Sequence, residues 1–101
     1  MKLVSVAAIA SAALLGSTAV NAQAPGYYSA TAMAPVGKTS IITRETAWAC
    51  SGATCVAKQA PERDAVLCAL VARQVGKLSS FTVGGAAYDP AALDKCNAKA
   101  K

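Results

Sequence analysis

Four cysteines in a short chain limit its fold more than any other feature. Cys50, Cys55, Cys68 and Cys96 lie among 101 residues that contain no histidine. In an exported chain of this length, four cysteines are typical of two disulfides, which can pair in three ways. The same four thiolates could alternatively complete one tetrahedral zinc site. The compartment in which the chain folds therefore matters.

The N-terminal segment predicts export. Lys2 supplies a positive charge, residues 3–15 are almost entirely apolar, and Val20-Asn21-Ala22 offers the small residues of a cleavage site. We expect residues 1–22 to be a signal peptide cleaved after Ala22, with cleavage after Ala24 as the less favoured alternative. The apolar stretch is shorter than the roughly 20 residues that span a bilayer. The sequence thus predicts a soluble periplasmic or secreted protein, in which paired cysteines become disulfides.

Two regions follow the signal peptide. Residues 23–38 are rich in Ala, Pro and Gly and show no apolar period, which indicates a flexible spacer. Tyr27 and Tyr28 could form a contact patch on it, but paired tyrosines in a linker usually have no role. Residues 39–101 form a single small domain. Its few bulky apolar residues make a small core, and domains of this size commonly need cross-links.

Charge gives little indication of a partner. The chain carries ten basic and five acidic residues, a net charge of +5, and the basic residues are scattered. Scattered charge mainly keeps a small domain soluble, with at most a weak attraction to anionic surfaces. Nucleic-acid binding is not expected, because the chain has neither a basic run nor an aromatic platform.

The first half of the domain predicts two strands joined by a tight turn. Residues 39–50 are rich in β-branched side chains and are read as one strand, with Ile42, Trp48 and Cys50 facing the core. A type II′ turn at Gly52-Ala53 would place Cys50 directly opposite Cys55. The expected Cα separation of ~4.5 Å suits a disulfide. Residues 55–58 form the return strand.

The second half predicts a helix, a hairpin and another helix. Residues 61–75 have an apolar stripe at helical spacing that includes Cys68, with Pro61 in the first turn and Gly76 after the last. Residues 78–83 and 86–88 are strands around Gly84-Gly85. A last helix begins at Asp89-Pro90 and turns Cys96 inward. The predicted fold is therefore α+β, in the order ββαββα, with both helices on one face of an antiparallel sheet.

Within this fold we favour the disulfides Cys50–Cys55 and Cys68–Cys96. The first rests on the turn geometry, and the second on the two inward helical stripes and on elimination. The sequence by itself does not settle the connectivity.

Several chemistries are excluded by composition. Without histidine, the chain cannot use a Ser-His-Asp or Cys-His arrangement or bind zinc through mixed Cys/His ligands. Carboxylates remain for acid–base catalysis, but Glu62, Asp64 and Asp89 are expected at helix starts, and Glu45 and Asp94 in solvent. We therefore expect no catalytic residues, no cofactor and no enzymatic activity.

Two alternatives concern binding sites. A zinc site would use Cys50, Cys55, Cys68 and Cys96, although the long separation of the last two and the oxidising compartment disfavour it. Trp48 could anchor a ligand, but a tryptophan beside a strand cysteine more often packs against the disulfide.

The chain resembles a family of small, uncharacterised exported proteins of alphaproteobacteria. The resemblance covers roughly residues 39–99 and rests on Thr43-Arg44, Trp48-x-Cys50, Cys55, Cys68, Phe81-x-Val83-Gly84-Gly85 and Leu93-x-x-Cys96-Asn97. It implies an exported domain and brings no catalytic or binding residues. We accordingly expect a non-catalytic domain that binds an envelope or extracellular protein, one form of which would be an inhibitor of an envelope hydrolase.

Overall fold

A single antiparallel sheet forms the framework of the protein. The computed structural model describes residues 26–100, which contain six strands and two helices. The strands are β1 (Tyr28–Ala32), β2 (Ser40–Thr43), β3 (Thr46–Ser51), β4 (Thr54–Ala57), β5 (Leu78–Val83) and β6 (Ala86–Ala87), and the helices are α1 (Asp64–Val75) and α2 (Pro90–Asn97). The strand order across the sheet is β2-β3-β4-β1-β5-β6. The predicted α+β class, with a disulfide-linked antiparallel sheet and two helices, is confirmed.

One face of the sheet is buried, and the helices cover it. The register aligns Tyr28 with Ala57 and Ala30 with both Cys55 and Phe81, so buried side chains of neighbouring strands share a face. Helix α1 packs on β1, β2 and β5, and α2 packs on β5. The outer face bears mainly small and β-branched side chains, and none of the six strands contains a charged residue. The charges of the described residues therefore lie in loops and helices.

The central strand comes from the segment predicted to be a spacer. β1 pairs with β4 on one side and β5 on the other. Tyr28 is 1% exposed, with its ring stacked on Phe81 and tilted against Trp48. The prediction of a spacer through residue 38 is thus wrong from Tyr28 onward. It failed because a short strand of Ala, Ser and Thr gains its stability from two neighbouring strands, which no local pattern shows.

The strand predicted over residues 39–50 is in fact a hairpin. β2 and β3 pair across the two-residue turn Arg44-Glu45, with Thr43 opposite Thr46. Arg44 has a φ of 56°, which the sequence did not indicate because turns of this kind usually carry Gly or Asn there. This turn changes which residues of β2 face the core, so Ile41 and Thr43 are buried while Ile42 is 62% exposed. The predicted inward position of Ile42 is therefore wrong, whereas those of Trp48 and Cys50 are confirmed.

The two helices agree with prediction except at the start of α1. The helix begins at Asp64 rather than Pro61, because Ala60 and Glu62 are held by side-chain contacts to β1 and β3 and Arg63 has an extended backbone. α1 buries Leu67, Cys68, Val71 and Ala72 and ends at Gly76. In α2, Asp89 is the predicted N-cap, and its side chain accepts a hydrogen bond from the Ala92 N–H at 2.8 Å.

Both predicted disulfides are present. Cys50 and Cys55 face each other across β3 and β4 with Cα atoms 4.0 Å apart, and Gly52 has the positive φ that the turn requires. Cys68 and Cys96 join α1 to α2 with Cα atoms 5.7 Å apart. All four cysteines are buried. One disulfide thus links β3 to β4 beside their turn, and the other links the two helices.

Within residues 26–100, neither helix is long and apolar enough to cross a membrane. Residues 1–25 and Lys101 are outside the described part, and so are the predicted signal peptide and both predicted cleavage sites.

Candidate functional site

A groove opens where β3 and β4 separate. The two strands pair at Ala49–Val56, Cys50–Cys55 and Ser51–Thr54, and β4 ends at Ala57 while β3 extends back to Thr46. The chain after β4 leaves the sheet through residues 58–62 before α1 begins. Between this segment and the first half of β3 lies a cavity of about 670 Å³, which we call the β3–β4 groove. Its volume falls in the range of ordinary ligand sites.

The wall formed by β3 presents unpaired backbone to the groove. The Cys50 N–H donates to the Thr39 carbonyl oxygen on the β2 side. Since backbone groups alternate along an antiparallel strand, Ala47 and Ala49 direct their N–H and C=O groups to the β4 side. Ala49 pairs there with Val56, but Ala47 has no strand residue opposite. Among the described residues, no backbone group crosses the groove to bond Ala47. With respect to residues 26–100, the groove therefore contains one open donor and one open acceptor.

The opposite wall is held by a buried tyrosine. The Tyr28 hydroxyl donates to the Ala60 carbonyl oxygen at 3.1 Å and accepts from the Ala60 N–H at 3.2 Å. Both backbone groups of Ala60 are thereby satisfied by a side chain of the central strand. This keeps residues 58–62 apart from β3 and prevents a simple extension of β4. The groove is thus a consequence of the position of Tyr28.

One end of the groove is bridged by a side-chain contact. The Thr46 hydroxyl donates to Glu62 Oε1 at 3.2 Å, which links the start of β3 to the segment before α1. Nearby, Trp48 Nε1 donates to Thr43 Oγ1 at 2.8 Å, and both side chains are about 1% exposed. Trp48 is therefore a core residue with a satisfied N–H. It borders the groove, but at 1% exposure its ring offers little surface to a ligand.

The rest of the lining is mainly apolar and small. Ala47, Ala49, Val56, Ala60 and Pro61 contribute, together with the backbone of Gly26. Gly26 crosses β4 so closely that an added Cβ would lie 2.8 Å from Val56 Cβ and 2.9 Å from the Ala57 nitrogen. Only glycine fits at this crossing without a local shift. The close contacts of Gly26 therefore restrict the path of the chain beside the groove.

The charges around the groove are mostly negative. Glu45 and Glu62 line it together with a single basic residue, Lys58, in a chain whose net charge is +5. Glu62 was predicted in the first turn of a helix and instead bonds Thr46. Glu45 and Asp94 are exposed, as predicted. The structure thus brings Glu45 and Glu62 to one cavity, whereas Asp64 and Asp89 remain at helix starts.

The cysteines do not form a ligand site. Their four sulfurs are taken up by the two disulfides, and the described chain has no free cysteine. Residues 26–100 also contain no cluster of three or more His, Cys, Asp or Glu side chains that could hold a metal ion. The alternative zinc site at Cys50, Cys55, Cys68 and Cys96 is therefore wrong, because disulfide sulfurs are not thiolate ligands.

The groove was not predicted from the sequence. Its key residues, Tyr28, Ala47 and Ala60, are an apparent spacer tyrosine and two alanines that no motif singles out. The only local signal was Ala60-Pro61, since a residue before proline avoids helical geometry and marks a boundary.

Comparison with known proteins places the chain in a family whose function is not known. A family model described as a family of unknown function, DUF8200, matches residues 6–98. No curated protein and no solved structure matches the chain.

Proposed function

The chain belongs to DUF8200, a family with no described activity, and we propose that it is an exported, non-catalytic binding domain whose contact site is the β3–β4 groove. The observation that carries this proposal is the open backbone of Ala47 in an apolar cavity. Unpaired N–H and C=O groups in an apolar wall are costly unless water or a partner bonds them. A partner that supplied those bonds would gain affinity from them.

The chemistry of the groove supports binding rather than catalysis. The chain has no histidine, and the cysteines of the described residues are in disulfides. Glu45, Glu62 and Lys58 line the cavity, and Glu62 is engaged by the Thr46 hydroxyl. Two buried disulfides also suit an oxidising compartment. These features fit an extracytoplasmic partner protein, and a hydrolase of the envelope that this domain inhibits is the specific form we propose.

Capture with a groove variant tests the proposal. The full chain is expressed with its signal segment, purified without reductant and used as bait in an extract of the envelope of its own host. Ala49→Trp fills the groove from an exposed position, and Ala87→Trp places the same side chain on an exposed site of β6 at the far edge of the sheet.

We expect a stoichiometric partner with the wild-type chain and with Ala87→Trp, and its loss with Ala49→Trp. Capture that is equal for both variants would show that the groove is not the contact site. Absence of any partner across extracts would contradict a binding role. If the partner is a hydrolase, its activity should fall as the wild-type chain is added.

A further inference from the structure

We propose that the occupant of the β3–β4 groove is a short extended peptide segment with a basic side chain, bound by β-pairing to Ala47. This inference rests on the proposed function and names the chemistry of its ligand. Peptide addition to an exposed strand edge is a general recognition mode, in which main-chain hydrogen bonds supply affinity and side-chain contacts supply specificity.

The backbone geometry favours a peptide over an apolar small molecule. Ala47 offers an N–H and a C=O side by side, directed away from β2. An extended peptide residue presents the complementary C=O and N–H at the same spacing. A purely apolar ligand would bury both groups of Ala47 without a partner, which is unfavourable.

The dimensions of the open edge limit the length of the segment. Ala49 is already paired with Val56, and the contact between Thr46 and Glu62 bridges the other end. In the part of the chain that the structure describes, only the backbone of Ala47 is left between them. One peptide residue therefore pairs directly, and its neighbours fill the remaining cavity. The small side chains of Ala47 and Ala49 leave space for branched side chains above them.

The charged residues that line the groove favour a basic side chain on the peptide. Two carboxylates, Glu45 and Glu62, and one ammonium group, Lys58, line the groove. A lysine or arginine of the peptide meets a net negative cavity, whereas an acidic residue is repelled. Since Glu45 is exposed, its contribution is modest and sensitive to salt.

Amide NMR on the intact, disulfide-bonded chain tests each part of the proposal. The probe is the blocked tripeptide acetyl-Val-Lys-Val-amide. Its comparators are the same peptide with a methyl group on the lysine backbone nitrogen, and acetyl-Val-Glu-Val-amide. In the free chain, the Ala47 amide should exchange rapidly with solvent, while the paired Ala49 amide is protected.

With the lysine peptide we expect shift changes confined to the groove and slower exchange of the Ala47 amide. The methylated and glutamate peptides should bind at least about fivefold more weakly, as the loss of one hydrogen bond or the reversal of one charge implies. Glu45→Gln should weaken the lysine peptide about two- to fivefold at low salt, and the exposed Asp94→Asn should not change it.

Several results would overturn this inference. If the methylated peptide bound as tightly as the lysine peptide, β-pairing to Ala47 would be contradicted. If the glutamate peptide bound as tightly, selection by charge would be contradicted. No binding up to about 10 mM peptide would exclude the ligand class altogether. Protection of Ala47 before any peptide is added would indicate that the chain's own residues before Gly26 occupy the groove. If these tests fail while Ala49→Trp still abolishes partner capture, the binding role stands and only its peptide chemistry is wrong.

Discussion

The side chain of Asn97 pairs with the backbone of Leu78 as a neighbouring strand would. The Leu78 N–H donates to Asn97 Oδ1 at 2.8 Å, and Asn97 Nδ2 donates to the Leu78 carbonyl oxygen at 2.9 Å. Asn97 is the last residue of α2, and Leu78 is the first residue of β5. Two hydrogen bonds thus fix the end of the second helix to the start of a strand.

Asn97→Ala should therefore destabilise the domain by about 1–3 kcal/mol, because it leaves two partly buried backbone groups of Leu78 without partners. Asn97→Asp keeps the acceptor and loses the donor, so we expect an intermediate loss at neutral pH. Urea unfolding measures both changes. The exposed Asp94→Asn, on the same helix, is the control, and an Asn97→Ala variant as stable as this control would contradict a structural role for the pair.

The two disulfides should differ in their contributions. The cysteines are 5 residues apart in one and 28 in the other. In the chain-entropy account, closing these loops stabilises the fold by about 2 and about 3.6 kcal/mol respectively. Paired replacement by alanine, Cys50→Ala with Cys55→Ala and Cys68→Ala with Cys96→Ala, should show this order in thermal unfolding. A larger loss from the short loop would mean that packing or native strain outweighs loop closure.

The central position of β1 predicts that the fold requires the segment before residue 33. A chain starting at Lys38 should be unfolded by circular dichroism even with its cysteines oxidised, because β4 and β5 would lose their shared neighbour. A chain starting at Gly26 retains the strand and is the matched control. A folded product from Lys38 would show that β1 is dispensable.

Tyr28→Phe provides a finer test of the same strand. It keeps the ring in the core and removes both hydrogen bonds to Ala60. We expect a loss of about 1–2 kcal/mol together with faster amide exchange at Ala60. Unchanged exchange at Ala60 would mean that the groove wall does not depend on the tyrosine.

Arg44 occupies a turn position that favours glycine. Its φ of 56° lies in the left-handed region, which costs a residue with a Cβ about 1–2 kcal/mol. Arg44→Gly should relieve this strain. The gain should be limited to about 1 kcal/mol, because glycine loses more conformational freedom on folding than arginine does. Gly52→Ala is the converse change at a φ of 63° and should destabilise it. A destabilised Arg44→Gly variant would show that the arginine side chain makes a compensating contact.

Tyr88 predicts a loss of stability at alkaline pH. Burial raises the pKa of its phenol above the ordinary value, and the negative charge of Asp64 raises it further. Its ring packs edge-on against Phe81. The neutral phenol is favoured in the folded state, so its stabilising effect is complete below the unfolded pKa of about 10 and is lost as the pH rises through the folded value.

The Tyr88→Phe variant should therefore lose less of its free energy of unfolding above about pH 10 than the wild-type chain does. Absorbance titration of tyrosinate in both proteins gives the pKa directly from the difference. If the difference showed that Tyr88 titrates at the ordinary pKa of a tyrosine, the assigned effect of burial would be contradicted.

Local chemistry in the sequence was sufficient for much of this fold. Gly52 at a tight turn, Asp89 before Pro90, and the apolar stripe around Cys68 each predicted an element correctly, because turns, caps and amphipathic stripes involve residues close in the chain. The same reasoning favoured both disulfides, one from the hairpin and the other from two inward stripes together with elimination.

The β1 strand and the β2–β3 turn were not predictable in this way. Tyr28 and Ala30 are strand residues because β4 and β5 lie on either side of them, and Arg44 adopts a left-handed turn because Thr43 and Thr46 pair around it. Long-range pairing overrides weak local preference in both places.

The sequence by itself thus determined the fold class and the histidine-dependent chemistries that the chain lacks, and it favoured the disulfide pairing that the structure contains. Only the tertiary structure decided that Tyr28 lies at the centre of the sheet and holds Ala60 away from β3. The β3–β4 groove exists because that hydroxyl satisfies the backbone of Ala60 and leaves the backbone of Ala47 open. No local pattern encodes a gap between two strands, because a gap depends on where a third strand places its side chain.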